Sequence, residues 1–275
     1  MIKPKRLIQV GTVLIGKGSP YLFSSIDGLS AGDVSEREET YYGTDGAEYF
    51  DTLFRPREIT IKGCIVADNL EDLLSLKKEL ERQINPKETM ECFYHDYYED
   101  YRFIAKPSST AEFSKVEFGR KIDYIIYLTV PGYYIESYDE TITELYSVQS
   151  LLTRATMLPA MFSQRISRNN VFNGGIAETY PTLIITCEQP NTTDIKIMNH
   201  TVDKSLVLNR RMAAGETITV DMYNCTVVSS EVGNIINSID VINNFWALCV
   251  GANDIEVQTT NITVMMRHRD KFAGV

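Results

Sequence analysis

Hydrophobic and polar residues alternate with a period of two through most of this chain. Between residues 68 and 86 the period lengthens to that of a helix. In "REITIKGCIV", Ile59, Ile61, Gly63 and Ile65 fall on one side and Glu58, Thr60 and Lys62 on the other, which predicts a strand with one buried face. "RKIDYIIYLTV" repeats the pattern, with Ile122, Tyr124, Ile126, Leu128 and Val130 set against Asp123 and Thr129. Further strands are expected near Thr89–Tyr94 and Tyr101–Pro107. In "DNLEDLLSLKKELERQINP", Leu70, Leu73, Leu74, Leu80 and Ile84 share one helical face and charges fill the other, predicting a helix over about 69–84. A capping pair, Asp68 with Glu71 or Asn69 with Asp72, starts it, and Pro86 ends it.

The rhythm is lost from 139 to 172, where "LLTRATMLPAMFSQRISRNN" reads as a short helix or an irregular connector. After "FNGGIAETYP", short alternating runs return with turn signals between them: "TLIITC", "TDIKIMN", "ETITVDM", "CTVVSS", "NDIEVQ" and "NITVMM". Such spacing indicates a sandwich or jelly roll. The expected organisation is therefore mainly β: a domain over 1–138 with one helix, a connector over 139–172, and a β-sandwich over 173–275. The final stretch "MMRHRDKFAGV" suits either domain.

Composition narrows the function. The net charge is −10, shared by both halves: 17 basic against 23 acidic side chains in 1–138, and 10 against 14 in 139–275. With no basic stripe, sequence-specific nucleic-acid binding is disfavoured. No apolar run is long enough for a membrane span. The opening "MIKPKRLIQVGTVLIG" resembles the start of a signal peptide, but Gln9, Gly11 and Thr12 break it, and it reads as a first strand of a protein made in the cytoplasm. Five scattered cysteines without a CxxC pair indicate neither a zinc site nor a disulfide framework. Cys64, Cys225 and Cys249 lie in apolar strand-like runs, where a free thiol acts as a small hydrophobe.

Candidate chemistry is sparse. "YHDYYEDY" groups His95, Asp96, Glu99 and Asp100, but a metal or acid–base site would need partners from elsewhere, and only His200 and His268 remain. A polar hairpin tip explains the composition. GxSxG, HExxH, P-loop and GxGxxG motifs are absent, so no enzyme and no cofactor is expected. "YYGTDGAEYFDTLFRP" is distinctive: Tyr41, Tyr42, Tyr49, Phe50 and Phe54 alternate with glycines and acids. It is either a hairpin folding back on its own core or an arm that packs on a neighbouring subunit. Trp246, the single tryptophan, precedes a turn containing Gly251 and Asn253. Alone it suggests a sugar platform; before a Gly-x-Asn turn that launches "DIEV" it reads as a side chain packed under a structural corner.

Taken in order, "RPREITIKGCIV", "LEDLLSLKKELERQINP", "CFYHDYYEDYRFIAKPSS", "FSKVEFGRKIDYIIYLTVPGYY", "FNGGIAETYPTLIIT", "IMNHTVDKSLVLNRRMAAGETITVDM" and "FWALCVGANDIEV" resemble the distal tail (Dit) proteins of long-tailed bacteriophages over nearly the whole chain. The resemblance implies an N-terminal tail-tube-like β-sandwich with one α-helix and a C-terminal galectin-like β-sandwich. It also implies a homo-hexameric hub that joins the tail tube protein to the tail-associated lysin or hub protein, with a channel for DNA. Tape measure and receptor-binding proteins are further implied partners. The protein would be a structural part of the virion's tail tip or baseplate, assembled in the host cytoplasm. One corner departs from the family pattern, in which prolines are common after the Trp and before the Gly: Ala247 and Val250 stand there, while Gly251 and Asn253 are kept. The alternative is a carbohydrate-binding module or adhesin using the C-terminal sandwich.

Overall fold

Alternating burial builds the strands that line the cores, such as Arg57–Val66 and Lys121–Val130. The computed structural model describes residues 6–30, 32–39, 42–43, 45, 48–96, 98–117, 119–145, 168–187, 190, 194–239, 244–259 and 262–275, with backbone alone for Glu48 and Tyr49. The chain divides into two compact units, Met1–Tyr138 with Phe272–Val275, and Asp139–Lys271. Among the described residues no helix is long and apolar enough to cross a membrane.

In the first unit the chain runs β1 (Leu7–Val10), β2 (Val13–Gly16), β3 (Tyr21–Asp27), β4 (Val34–Glu39), β5 (Glu48–Phe54), β6 (Arg57–Val66) and α1 (Leu70–Gln83). It continues through β7 (Met90–His95), β8 (Asp100–Pro107), β9 (Glu112–Phe113), β10 (Lys121–Val130) and β11 (Ile135–Ser137). One sheet has the order β2-β1-β7-β8-β10-β6-β3. Next to its β3 edge, β10 and β6 pair antiparallel over ten residues, from Lys121↔Val66 to Val130↔Arg57. The alternate residues expected to face inward are buried: Ile59, Ile61 and Ile65 on β6, and Ile122, Tyr124, Ile126, Leu128 and Val130 on β10. Gly63 interrupts this row for a steric reason. A Cβ there would lie 2.5 Å from the Tyr124 hydroxyl and 2.1 Å from the Leu22 carbonyl oxygen. The bare backbone lets the Tyr124 hydroxyl pass and donate to that carbonyl at 3.1 Å.

The helix α1 covers this core with Leu73 and Leu80, and Ile84 follows at its C-cap. Of the two possible caps the structure uses Asn69, whose Oδ1 accepts the Asp72 amide at 2.8 Å. Leu70 and Leu74 depart from the expected face and are exposed. The helix presents only a narrow apolar stripe, to β6, and these two residues fall beside it. Opposite its C-terminus, the Thr12 hydroxyl donates to Gln83 Oε1 at 2.6 Å.

The second unit comprises two sheets. The first has the order β12 (Thr141–Leu145), β21 (Ile262–His268), β14 (Thr182–Cys187), β17 (Thr217–Asp221), β18 (Thr226–Ser229) and β19 (Gly233–Asn234). The second has the order β13 (Arg168–Asn173), β20 (Gly251–Gln258), β15 (Ile195–Asn199) and β16 (Lys204–Leu208). One core joins them: Leu183, Ile185, Ile218, Val220, Val264 and Met266 from the first, and Ile195, Ile197, Leu206, Leu208, Ile255 and Val257 from the second. Hence the fold is mainly β, with two units and, among the described residues, one α-helix. Within the expected connector 139–172, Thr141–Leu145 and Arg168–Asn173 are strands of this second unit, and 146–167 lie outside the described residues. Cys225, expected inside a strand, sits exposed in the turn before β18, with φ +51°. The final stretch is divided: Ile262–His268 form β21 of the second unit, and Phe272, in the short strand β22 (Lys271–Phe272) that pairs with β11, begins a return to the first.

Candidate subunit interface

The aromatic stretch of the first unit forms an isolated hairpin. β4 and β5 pair only with each other among the described residues, from Val34↔Phe54 to Glu39↔Glu48, with a bulge between Arg37 and Glu38. A two-residue period puts Phe50, Thr52 and Phe54 on one face of β5 and Asp51 and Leu53 on the other. In a strand packed on a core one of these faces would be buried. Here both are open: Phe50 is 56% and Leu53 59% exposed, and Val34 and Tyr42 are exposed as well. Residues 33–56 carry seven acidic side chains against two basic ones, Arg37 and Arg55. A two-stranded ribbon with no buried face is marginal in water, and exposed aromatics of this kind mark a contact surface.

The five aromatics of this stretch do not share one environment. Phe54, at the root, stacks on Tyr133 with ring centroids 4.2 Å apart and meets the edge of Tyr134 at 5.8 Å. It folds back on its own unit although half-exposed. Phe50 and Tyr42 lie further out and are open. Tyr41 and the side chain of Tyr49 lie outside the described residues.

Just past the hairpin, Arg57 is 1% exposed. Its Nε donates to the Tyr133 carbonyl at 3.0 Å, and Nη1 donates to the carbonyls of Gly28 at 3.1 Å and Leu29 at 2.6 Å. Nη2 donates to the carbonyl of Ala273. The guanidinium also lies over the Tyr133 ring, 5.0 Å from its centroid. Burial holds its pKa below the usual arginine value. Arg57 gave no signal in the sequence, because its partners are backbone carbonyls from three distant stretches.

The corner at Trp246 has a different chemistry. Trp246 is 1% exposed and belongs to the core of the second unit. Gly251 takes φ +87°, a left-handed conformation open to glycine. Asn253 is fully buried and closes the turn. Its Oδ1 accepts the Cys249 amide at 2.9 Å, and its Nδ2 donates to the carbonyls of Cys249 at 2.8 Å and Gly251 at 3.1 Å. No face of the indole is left for a sugar ring.

The "YHDYYEDY" groups are spent within their own hairpin and its neighbours. His95 Nδ1 lies 3.2 Å from Asp100 Oδ1, Arg6 Nε donates to Asp96 at 3.4 Å, and the Tyr101 hydroxyl donates to Glu99 at 2.8 Å. Among the described residues no group of three or more His, Cys, Asp or Glu side chains is placed to hold a metal ion.

Comparison with known proteins bears on both units. Residues 9–120 match the phage tail protein RIFT-related domain, and residues 174–272 match the C-terminal domain of the siphovirus-type tail component; together these take in well over half of the chain. Among solved structures the chain is similar to the Dit protein of phage SPP1, with a TM-score of 0.73 and 14% identity over 97% of this chain and 99% of that one. A chain of the phage P2 baseplate in its activated conformation with Ca gives a TM-score of 0.59 and 11% identity over 98% and 99% of the two chains. The corresponding baseplate with Sr gives 0.60 and 11% over the same shares. No curated protein matches the chain in sequence.

Proposed function

Since the chain belongs to the siphovirus-type distal tail protein family and is a structural component of a phage tail, we propose that it forms the hexameric hub at the distal end of the tail. Its first unit builds the ring, and the β4–β5 hairpin of each subunit packs on the next. This is a head-to-tail contact that closes by rotation. The ring joins the tail tube protein to the tail-associated lysin or hub protein and leaves a channel for DNA. The second unit serves tail-tip partners such as receptor-binding proteins. The virion assembles in the host cytoplasm.

The observation that carries this reading is the hairpin itself, a paired but uncovered ribbon with Phe50, Leu53, Val34 and Tyr42 in the open. Its subunit-interface residues are Tyr41, Tyr42, Tyr49, Phe50 and Phe54, with Phe54 holding the root. The SPP1 relative, a paradigm of the hub adsorption apparatus in phages infecting Gram-positive hosts, and the P2 baseplate chains suggest the same place in the particle. A net charge of −10 suits a conduit whose walls do not retain passing phosphates. The carbohydrate-binding alternative leaned on Trp246, which is buried. Negative-stain electron microscopy of the purified full chain tests the proposal. Sixfold rings with a central opening support it, and a monodisperse monomer or another symmetry overturns it.

A further inference from the structure

The root of the hairpin is assembled from stretches that are far apart in sequence. Residues 28–30 precede β4, residues 54–57 end β5 and start β6, Tyr133 follows β10, and residues 273–275 come after the entire second unit. Arg57 binds them together. Four of its hydrogen bonds go to carbonyls of Gly28, Leu29, Tyr133 and Ala273. A guanidinium carries five N–H donors and no acceptor, and burying one unpaired is unfavourable, so this site is complete only with all of its carbonyls present.

Independent contacts fix the same junction. The Val275 amide donates to the Leu29 carbonyl at 3.1 Å, and the Val275 side chain packs against the core of the first unit. At Gly274 an added Cβ would stand 1.9 Å from the Ser30 carbonyl oxygen, so the two backbones meet with no room for a side chain. Tyr133, a non-glycine residue at φ +60°, holds Phe54 on its ring at 4.2 Å. Such a conformation persists where its surroundings over-determine it.

We propose that residues 272–275 are a strap that fixes the root of the hairpin. The arm is then held for docking only after the chain has passed through the second unit and come back. Until those residues arrive, one Arg57 nitrogen lacks its acceptor and the Leu29 carbonyl lacks the Val275 amide, so residues 28–34 and 54–58 are free to splay. Arm-driven association of incomplete chains is suppressed in the same way. The strap does not depend on the ring, since every contact invoked lies within one unit of one chain.

Hydrogen–deuterium exchange with mass spectrometry tests this on the full-length Gly274→Val variant and on a chain ending at Lys271. Valine at 274 must unseat the strap because the atom it meets is backbone. The expected result in both is at least tenfold faster exchange in 28–34, 54–58 and 131–136, with Ile59–Val66 and Lys121–Leu128 unchanged. Exchange at the root equal to the parent's, or an equal rise across β6 and β10, overturns the strap. Exchange is compared at matched assembly state, and residues 131–136, outside the proposed subunit contact, decide the outcome, so a failed hexamer and a failed strap are distinguishable.

Discussion

Two antiparallel strand pairs of the first unit, β6 with β10 and β4 with β5, are written in the same period-two alphabet and have opposite fates. In β6–β10 the inward rows of isoleucine, leucine, valine and tyrosine are fully buried, and the outward rows mix polar residues such as Glu58, Lys62, Asp123 and Thr129 with Val66, Ile125 and Tyr127. In β4–β5 large apolar residues occur on both faces and neither face is covered, while acidic residues crowd β4. The first pair satisfies the hydrophobic effect within the chain. The second leaves Phe50 and Leu53 in the open, and under the proposed assembly a neighbouring subunit covers them. Pairing alone therefore does not say whether a strand's apolar surface is buried in its own unit.

The sharpest contrast comes from truncating buried and exposed aromatics. Trp246→Ala empties a buried aromatic site and should lower the stability of the second unit by about 3–5 kcal/mol, read from its denaturant midpoint. Ile126→Ala on β10 should cost the first unit about 2–5 kcal/mol by the same measurement. Asn253→Ala leaves the Cys249 amide and carbonyl without their side-chain partner and should cost about 1–3 kcal/mol, with the loss confined to the second unit. A Trp246 or Ile126 variant as stable as the parent would remove the basis of the comparison.

A smaller effect involves pH. His268 ends β21 buried, its Nε2–H donating to the Phe172 carbonyl at 3.2 Å and its Nδ1 without a hydrogen-bond partner among the described residues. Burial holds its pKa below the usual 6.5, against opposing contributions from Asp270 and the Phe172 carbonyl. The unfolded chain therefore takes the proton first. Stability is complete above about pH 6.5 and falls as pH drops from there toward the folded-state value, below which the loss levels off. Thermal melts across pH 7.5 to 5 should show this decline, and His268→Gln should flatten it.

What could be read from the sequence follows the range of the interactions involved. The alternation of Ile59, Ile61 and Ile65 or of Ile122 through Val130 needs only neighbours on one strand, and it places the sheet's core directly. The helix was legible too, although Leu70 and Leu74 are exposed, because a helical period marks an apolar stripe without giving its width. Cys225 misled for a related reason: an apolar neighbourhood does not exclude a left-handed turn. The candidate interface was legible as aromatic composition, whereas the separation of Phe54 from Phe50 depends on Tyr133, some eighty positions away. Arg57 left no signal, since a side chain bonded to backbone carbonyls leaves no pattern of residue types, and for residues 272–275 the sequence left both domains open.

The measurement closest to the central claim is the mass of the protein in solution when the hairpin loses exposed apolar side chains from both of its faces. Phe50→Ser combined with Leu53→Ser exchanges exposed side chains and should change the stability of the isolated subunit by no more than about 0.5 kcal/mol. Light scattering should then give a hexamer of the 31.2 kDa chain for the parent and a folded monomer for the double variant. A double variant that still assembles into the parent's hexamer would contradict the assignment of the hairpin to the subunit contact.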